Sequence, residues 1–538
     1  MKVRLLGYGA ALALGAVLGS PAFAFEGTSV SAPSCDYGGT IKSIAATDEL
    51  TVTVTMCKPD PAFSAKIIFP VFGIQPSEHI AALGPEGKLL DDPIGTGPFK
   101  LDAWNRGDSI VMSRNDNYWG KEPAYDKLVF RWNASGAGRL NELRAGTVDE
   151  ITNLSPDDFD AVENDPSLQF LPVASPNSFY LGMNNTYKPF DDVRVRQAIG
   201  MGIDRQRIID YYYPEGSEVA SHFTPCSLEN GCAGDDWYAF DPKKAKELLA
   251  EAGYPDGFKT KIFYRDVFRS YLPEPGSVAV EIQTQLKQNL GIDAEVVPME
   301  SGEFIDAAAQ GRLDGFHLLG WGADYPHVTN FLDYHFSSNT KNFGKPQPAI
   351  YEPLAKAATI ADPAKAEPLY AEANDEIKKL VPTVPIAHGA SAYAAQANLT
   401  GGEVPAFGAI RFEDVNPGKD TFVFMQNAEP ISLYCPDESD GESLAACTPI
   451  TETLLRYDPK TKKIGPNLAT SCDANEDSTV WTCHLREGVK FTDGSAFDAN
   501  DVVASWGAGI DAANPAHVGN TGAFTYYAYL FGSLMNAK

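Results

Sequence analysis

Two strands that lack neighbours constrain this chain more than any other feature. Near its start, Leu50, Val52, Val54 and Met56 alternate with Thr51, Thr53 and Thr55, the period-2 pattern of a strand with one buried face. Near its end, Trp481, Cys483 and Leu485 alternate with Thr482, His484 and Arg486 in the same way. Asp493-Gly494 then predicts a tight turn. Asp498 as N-cap, with Asp501 three positions on, predicts a helix whose Val502, Val503 and Trp506 need a core. A short tail follows that helix, and a linker, "FEGTSVSAPS", stands ahead of the first strand. Each strand needs a sheet that its own neighbourhood does not supply.

Residues 1–24 carry Lys2 and Arg4, an apolar run of small residues and Leu, and Ala22-Phe23-Ala24, the pattern of a secretory signal peptide cut after Ala24. A membrane anchor is the competing reading, against which the run is short and interrupted by glycine. No Cys lies near the cut, which favours a free periplasmic protein over a lipid-tethered one. The eight cysteines agree with an oxidising compartment, and no CxxC pair speaks for a metal, so disulfides are expected and a metal site is not. Spacing pairs Cys226 with Cys232, Cys435 with Cys447, and Cys472 with Cys483 across a hairpin-like "DANEDSTVWT"; Cys35 and Cys57 pair by elimination.

At 538 residues with 44% hydrophobic side chains, the chain can fill two or three domains. Its formal charge of −28 argues against nucleic acid as a partner, because phosphate binding needs clustered Lys and Arg. The sequence holds no G-x-S-x-G elbow, no HExxH and no GxxxxGK[ST] loop, so no catalytic residues are named and an enzyme is not expected. "RLNELRAGTVDEI" reads as a helix ended by Gly146 and followed by a strand, "VRVRQAIGMGIDRQRIIDYYY" as one long amphipathic helix, and "DPKKAKELLAEAGY" as a helix between Asp241-Pro242 and Gly253. "LYAEANDEIKKLVPTVPIAHG" passes from helix to strand through Pro382. Such alternation implies α/β lobes with central sheets. Near residue 400, "NLTGGEVPAFGAIRFEDVNPGKD" reads like an internal terminus, after which "TFVFMQNAEPISLYC" opens a new strand.

Four stretches carry a resemblance: "GTGPFKLDAWNRGDSIVMSRNDNYWG" from Gly95, "LNELRAGTVDEI", "YKPFDDVRVRQAIGMGIDRQRII" from Tyr187, and "LLGWGADYPHVTNFL" from Leu318. Together and in this order they resemble the extracytoplasmic solute-binding proteins of peptide-type ABC transporters (solute-binding family 5), a group with dipeptide, oligopeptide, nickel and sugar binders. In that family the segment like "HLREGVKFTDGSAFDANDVVASW" precedes the one like "IKSIAATDELTVTVTMCKPDPAF", and both belong to one small domain. Here the order is reversed. The chain therefore looks circularly permuted, the usual order being restored by reading 421–538 and then 25–420.

The resemblance implies an α/β, two-lobed periplasmic-binding-protein clamshell with an extra small domain. Its parts would be the small domain (25–94 and 436–538), lobe I (95–182, with return strands and the fused linker in 387–435) and a ligand lobe II (183–386), with hinges near Phe179 to Asn185 and Val384 to Ala390. It further implies a monomer that captures a short peptide and delivers it to ABC permease subunits, with no cofactor. Asp324 matches the family's W-x-x-D-Y aspartate, which pairs with a peptide α-ammonium, and Trp321 matches a pocket aromatic; a turn cap beside Pro326 and a core tryptophan are the plain readings of these two residues. Tyr180, His388, Tyr434 and Glu438 are further ligand candidates. Leu318 and Leu319 stand where one kind of oligopeptide binder has an Arg, and "PIAHGASAYAA" looks closer to dipeptide binders. An oligosaccharide, or a nickel complex held by Asp324, His327, Asp333 and His335, is the alternative ligand.

Overall fold

The computed structural model describes residues 25–173, 176–407 and 410–537, and in it the two lone strands are neighbours. Thr51–Met56 and Val480–Leu485 run antiparallel, with Thr55 opposite Val480 and Val52 opposite Cys483. Ile41–Asp48 and then Ser29–Ser31 continue the sheet on one side, and Ala469–Ala474 closes the other. One five-stranded sheet is thus assembled from both ends of the chain. Within the strands the period-2 pattern is obeyed, since Val52, Val54, Met56, Trp481, Cys483 and Leu485 are all buried, whereas Leu50 stands in the turn ahead of the first strand and is half-buried.

The helix Ala499–Ile510 packs on this sheet. Its start is a capping box, in which the Asp498 side chain accepts from the helix backbone and the Asp501 carboxylate accepts from the Asp498 N–H at 2.8 Å. Trp506 packs edge-on to Phe63 and Phe72, and its indole N–H donates to the Phe72 carbonyl at 3.2 Å. Beyond it the helix Thr525–Phe531 closes back on the same sheet, where the Thr40 N–H donates to the Phe531 carbonyl at 2.7 Å.

Two larger sheets make the lobes. The seven-stranded sheet runs in the order Phe99–Asn105, Ser109–Arg114, Lys127–Trp132, Thr421–Gln426, Glu150–Ile151, Ser391–Gln396, Leu168–Val173. Thr421–Gln426 lies inside it, parallel to both neighbours. The six-stranded sheet runs Glu218–Val219, Thr383–His388, Asn177–Met183, Phe316–Gly322, Lys259–Tyr264, Asp293–Pro298.

The chain changes between these two sheets twice, between Val173 and Asn177 and again at Gly389 and Ala390. The first passage lies a few residues before the expected hinge at Phe179 to Asn185, whereas the second falls within the expected Val384 to Ala390; both lie outside the expected lobe bounds of 183 and 386, because the six-stranded sheet takes in Asn177–Met183 and Thr383–His388 whole. The Asn177 carboxamide ties the two passages together, donating to the Gly389 carbonyl at 2.6 Å and accepting from the Gly389 N–H at 2.8 Å. A Cβ at Gly389 would come within 2.1 Å of the Ser270 carbonyl oxygen, so no larger residue fits there.

The helices follow their caps. Gly136–Arg144 ends at Gly146 with φ of +71°, and Pro242–Glu251 starts at Asp241, whose side chain accepts from the Lys244 N–H. The single long helix expected from "VRVRQAIGMGIDRQRIIDYYY" is two, Val193–Gly202 and Arg205–Tyr212. Asp204 breaks it: its carboxylate accepts from the Arg207 N–H at 3.0 Å and starts a new helix, while Ile203 is extended. All four expected disulfides are formed. Among the described residues no helix is long and apolar enough to cross a membrane. The signal peptide expected over 1–24 lies outside the described residues.

Candidate functional site

Strand Phe316–Gly322 ends one side of a loop that carries Asp324 and runs into the helix Thr329–Phe336. Asp324 does not cap a turn. One carboxylate oxygen accepts from the Asn330 carboxamide at 3.2 Å and the other from the Tyr526 hydroxyl at 3.0 Å. Both partners are neutral, and no ion pair with Asp324 is formed among the described residues. Asp324 is half-buried by surface, and desolvation of its carboxyl pushes it up to about 7, which the bonds from Asn330 and Tyr526 only partly oppose.

Asn330 also orders the neighbouring ring. Its side-chain oxygen accepts from the Trp321 indole N–H at 2.8 Å, and Trp321 stacks on Tyr334 with centroids 4.2 Å apart and meets Tyr529 at 5.5 Å. Tyr526 and Tyr529 both come from helix Thr525–Phe531 of the small domain, so this domain completes the surroundings of a loop that belongs to the six-stranded sheet. The Tyr529 hydroxyl donates to the Asn330 carbonyl at 2.9 Å.

Two cavities meet at Asp324. The first, about 270 Å³, is lined by Arg265, Arg269, Tyr271, His317, Trp321 and Tyr526 as well as Asp324. Arg265 donates to the Ser301 hydroxyl at 2.9 Å and the Tyr271 hydroxyl at 3.3 Å, and Arg269 to the Phe268 carbonyl at 2.9 Å. Neither has a carboxylate partner among the described residues. Burial lowers His317 to about 4, so the histidine in this wall is neutral. The second cavity, about 350 Å³, lies against the seven-stranded sheet, with Thr152, Tyr393, Phe424 and Gln426 in its wall. One space thus holds a carboxyl without a cation and two guanidinium groups without an anion.

The structure brings three of the expected residues to these cavities: Asp324, Trp321 and the fully buried Tyr180, whose ring packs on Phe223, His335 and Phe343. The other three line neither cavity. His388 sits at the sheet passage, its Nδ1 2.6 Å from the Asn177 carbonyl oxygen, and is lowered to about 4 by burial. Tyr434 packs edge-on to Phe524, and Glu438 accepts from the Ser432 hydroxyl. Their turn is pinned from beside them, because the Asp437 carboxylate accepts the N–H groups of Gly522 and Phe524 at 2.8 and 2.7 Å. That anchorage fixes the turn on the backbone ahead of helix Thr525–Phe531.

The proposed nickel set does not converge either. Nδ1 of His327 pairs with the Thr329 hydroxyl at 2.8 Å and Nδ1 of His335 with the Phe331 carbonyl at 2.6 Å. Among the described residues, the His, Cys, Asp and Glu donors close enough to share an ion are His222, Cys226 and Cys232, and those two cysteines are disulfide-bonded. Reading the sequence missed Arg265, Arg269, Asn330 and Tyr526. A signal existed for the arginines: they follow the C-terminal end of the parallel strand Lys259–Tyr264, where α/β sheets place their ligands.

The family model described as bacterial extracellular solute-binding proteins, family 5 Middle, matches residues 19–343 and 463–524. The di/tripeptide-binding protein 1 of Pseudomonas aeruginosa (strain UCBPP-PA14) is 33% identical over 387 residues, 70% of this chain and 72% of that protein. Among solved structures, the periplasmic binding protein DppA from Helicobacter pylori in complex with peptide STSA matches at 29% identity with a TM-score of 0.61, covering 70% of this chain and 74% of that one. A dipeptide-binding protein from Pseudoalteromonas sp. SM9913 in complex with Met-Leu matches at 27% identity with a TM-score of 0.63, covering 70% and 76%. With a family model matched over most of its length, the chain belongs to family 5 of the bacterial extracellular solute-binding proteins.

Proposed function

We propose that this protein is the periplasmic, monomeric binding component of an ABC importer, which encloses a short peptide between its two larger sheets and delivers it to the membrane permease without chemistry of its own. The observation that carries this reading is Asp324: a buried carboxyl with only neutral partners, in one cavity with Arg265 and Arg269. A buried anion needs a cation, and a peptide's α-ammonium brings one, while its carboxylate suits the two guanidinium groups. The relatives and complexes above are named for di- and tripeptides or contain peptides, which supports the same ligand class. A sugar would offer hydroxyl hydrogen bonds but no counter-charge to any of the three groups.

The test is the melting temperature of the purified exported protein against di- to tetrapeptides, their N-acetylated forms, cello-oligosaccharides and Ni²⁺. A ligand at about 100 times its dissociation constant adds roughly 2.7 kcal/mol of stability. Free peptides should shift the transition, acetylated ones should not, and Asp324→Asn should abolish the response. A shift with sugar or Ni²⁺ alone overturns the peptide reading.

We also infer that the order of the chain is a circular permutation, the ancestral reading being 421–538 followed by 25–420. Two features support it. The strands Thr51–Met56 and Val480–Leu485 share one sheet, and Thr421–Gln426 enters the seven-stranded sheet from Asp420, whose carbonyl accepts from the N–H groups of both Asp126 and Lys127. On this reading the small domain is 25–94 with 436–538, and the lobes part at the two passages, between 173 and 177 and at 389–390.

A further inference from the structure

Resting on the peptide reading above, we propose that the second cavity takes the side chain of the peptide's first residue and selects an uncharged aromatic side chain with a hydrogen-bonding tip, tyrosine before phenylalanine.

The direction of the ligand follows from the shared wall. Asp324 lines both cavities. With the α-ammonium on Asp324, the first Cα is one bond away, and its side chain and its carbonyl must leave in different directions. The arginines stand in the first cavity, and among the described residues no Lys or Arg lines the second. The carboxyl end therefore runs into the first cavity, and the first side chain is left with the second.

The chemistry of that second wall is specific. Phe69, Tyr393, Phe407, Phe412 and Phe424 give it aromatic faces, and its volume of about 350 Å³ holds many times the roughly 30 Å³ of one water. Two of its polar residues are deeply buried, Gln426 at 2% and Thr152 at 6% exposure, and the side-chain oxygen of each has no hydrogen-bond partner among the described residues. The orientation of the Gln426 amide is set by its NH₂ group, which donates to the carbonyls of Ala428 at 3.1 Å and Glu442 at 3.3 Å. The oxygen left over is an acceptor in want of a donor. Glu442 is only partly buried, so the shielded part of the cavity offers neutral acceptors. Neutral acceptors suit a phenol, whereas a full charge would lose its hydration there without a counter-charge.

The experiment is calorimetric titration of the purified exported protein with Tyr-Ala, Phe-Ala, Ala-Ala, Glu-Ala, Lys-Ala and Ala-Tyr. Tyr-Ala should bind tightest, about 3- to 10-fold tighter than Phe-Ala, the worth of one net hydrogen bond. Ala-Ala should be weaker than Phe-Ala by on the order of 10- to 100-fold, the worth of burying an aromatic side chain. Glu-Ala and Ala-Tyr should fall well below Tyr-Ala. Gln426→Leu should bring the ratio of Tyr-Ala to Phe-Ala affinities to about one, and Thr152→Val is the second variant should that one fail to fold. If Ala-Ala equals Tyr-Ala, or if Lys-Ala binds tightest, this inference falls while the peptide reading stands. If no free peptide binds and a sugar or Ni²⁺ does, the peptide reading falls and takes this inference with it.

Discussion

Peptide affinity should follow the ionisation of Asp324. Its carboxyl is raised by burial from 3.8 to about 7, and only the ionised form pairs with an ammonium. At pH 5 about one molecule in 100 carries that charge, at pH 6 about one in ten and at pH 7 half, so affinity should fall roughly tenfold per unit below pH 7. Above about pH 8 the ligand's α-amino group loses its own proton, and affinity should fall again. The optimum lies between these limits. The groups around Asp324 do not blur the acid limb: Tyr325, Tyr526 and Tyr529 are raised well above their ordinary value, and the nearby His317 and His327 are lowered to about 4.

The sign for stability is opposite in the empty protein. A carboxyl whose folded pKa lies above its unfolded one favours the folded state fully at low pH, and that favour is lost as pH rises from 3.8 through about 7, amounting to roughly 4 kcal/mol at full ionisation. Asp333, Glu452 and Asp501 are raised by burial in the same sense, to about 6, 7 and 6, so the wild-type curve sums several groups and its difference from Asp324→Asn isolates one. The assay is calorimetric titration of one dipeptide from pH 5 to 8.5 in two buffers of different ionisation enthalpy. Proton release should approach one per ligand near pH 6, pass through zero at about pH 7.5 and turn to uptake by about pH 8 as the ligand's amino group titrates. A flat affinity between pH 5 and 7, or a profile unchanged in Asp324→Asn, refutes the pairing.

Three further outcomes are expected. C-terminal peptide amides should bind about 10- to 100-fold more weakly than the free acids, the worth of a hydrogen bond to a charged group, and Arg269→Met should shrink that gap; equal affinity of acid and amide would count against the role of the arginines. A reordered chain running from Thr421 to Ala537, a short linker, then Phe25 to Asp420 should fold and bind the same peptides, as judged by circular dichroism and titration, and an insoluble product lacking native spectra would speak against the permutation. The double variant Cys35→Ser with Cys57→Ser opens a loop with a sequence separation of 22 and should cost about 3 kcal/mol in denaturant unfolding, with ligand affinity retained, since the bridge lies in the small sheet away from the cavities.

What could be read from the residues was whatever is written locally. The alternation in Thr51–Met56 and the capping box at Asp498 are short-range patterns, and both formed where expected. The break at Asp204 was hidden, because the apolar period of Val195, Ile199 and Ile209 continues across it and only the cap interrupts. Bounds of the sheet passages were hidden for another reason: every residue of Asn177–Met183 is buried, so no alternation marks where the strand ends. At the site, Asp324 and Trp321 stand in one recognisable stretch, but Tyr526 reaches the carboxylate from 202 residues away. Tyr434 and Glu438 line neither cavity, and their turn is held by Asp437 through bonds to the 522–524 backbone that no local pattern announces.

The sheet shared by the two chain ends also sets a timetable. Phe72 and Trp506, which meet in the core above that sheet, are 434 residues apart. At typical rates of synthesis the second emerges about 20 to 90 s after the first. Throughout that interval Thr51–Met56 has no partner on the side that Val480–Leu485 later fills, and the Trp506 indole is missing from the core. The six-stranded sheet lies wholly within residues 177–388 and can form in that interval, which shortens the loop that the last strand must close. The helix that brings Tyr526 to Asp324 belongs to the same later-made segment, so the surroundings of that carboxyl cannot be complete until Thr525–Phe531 has been made.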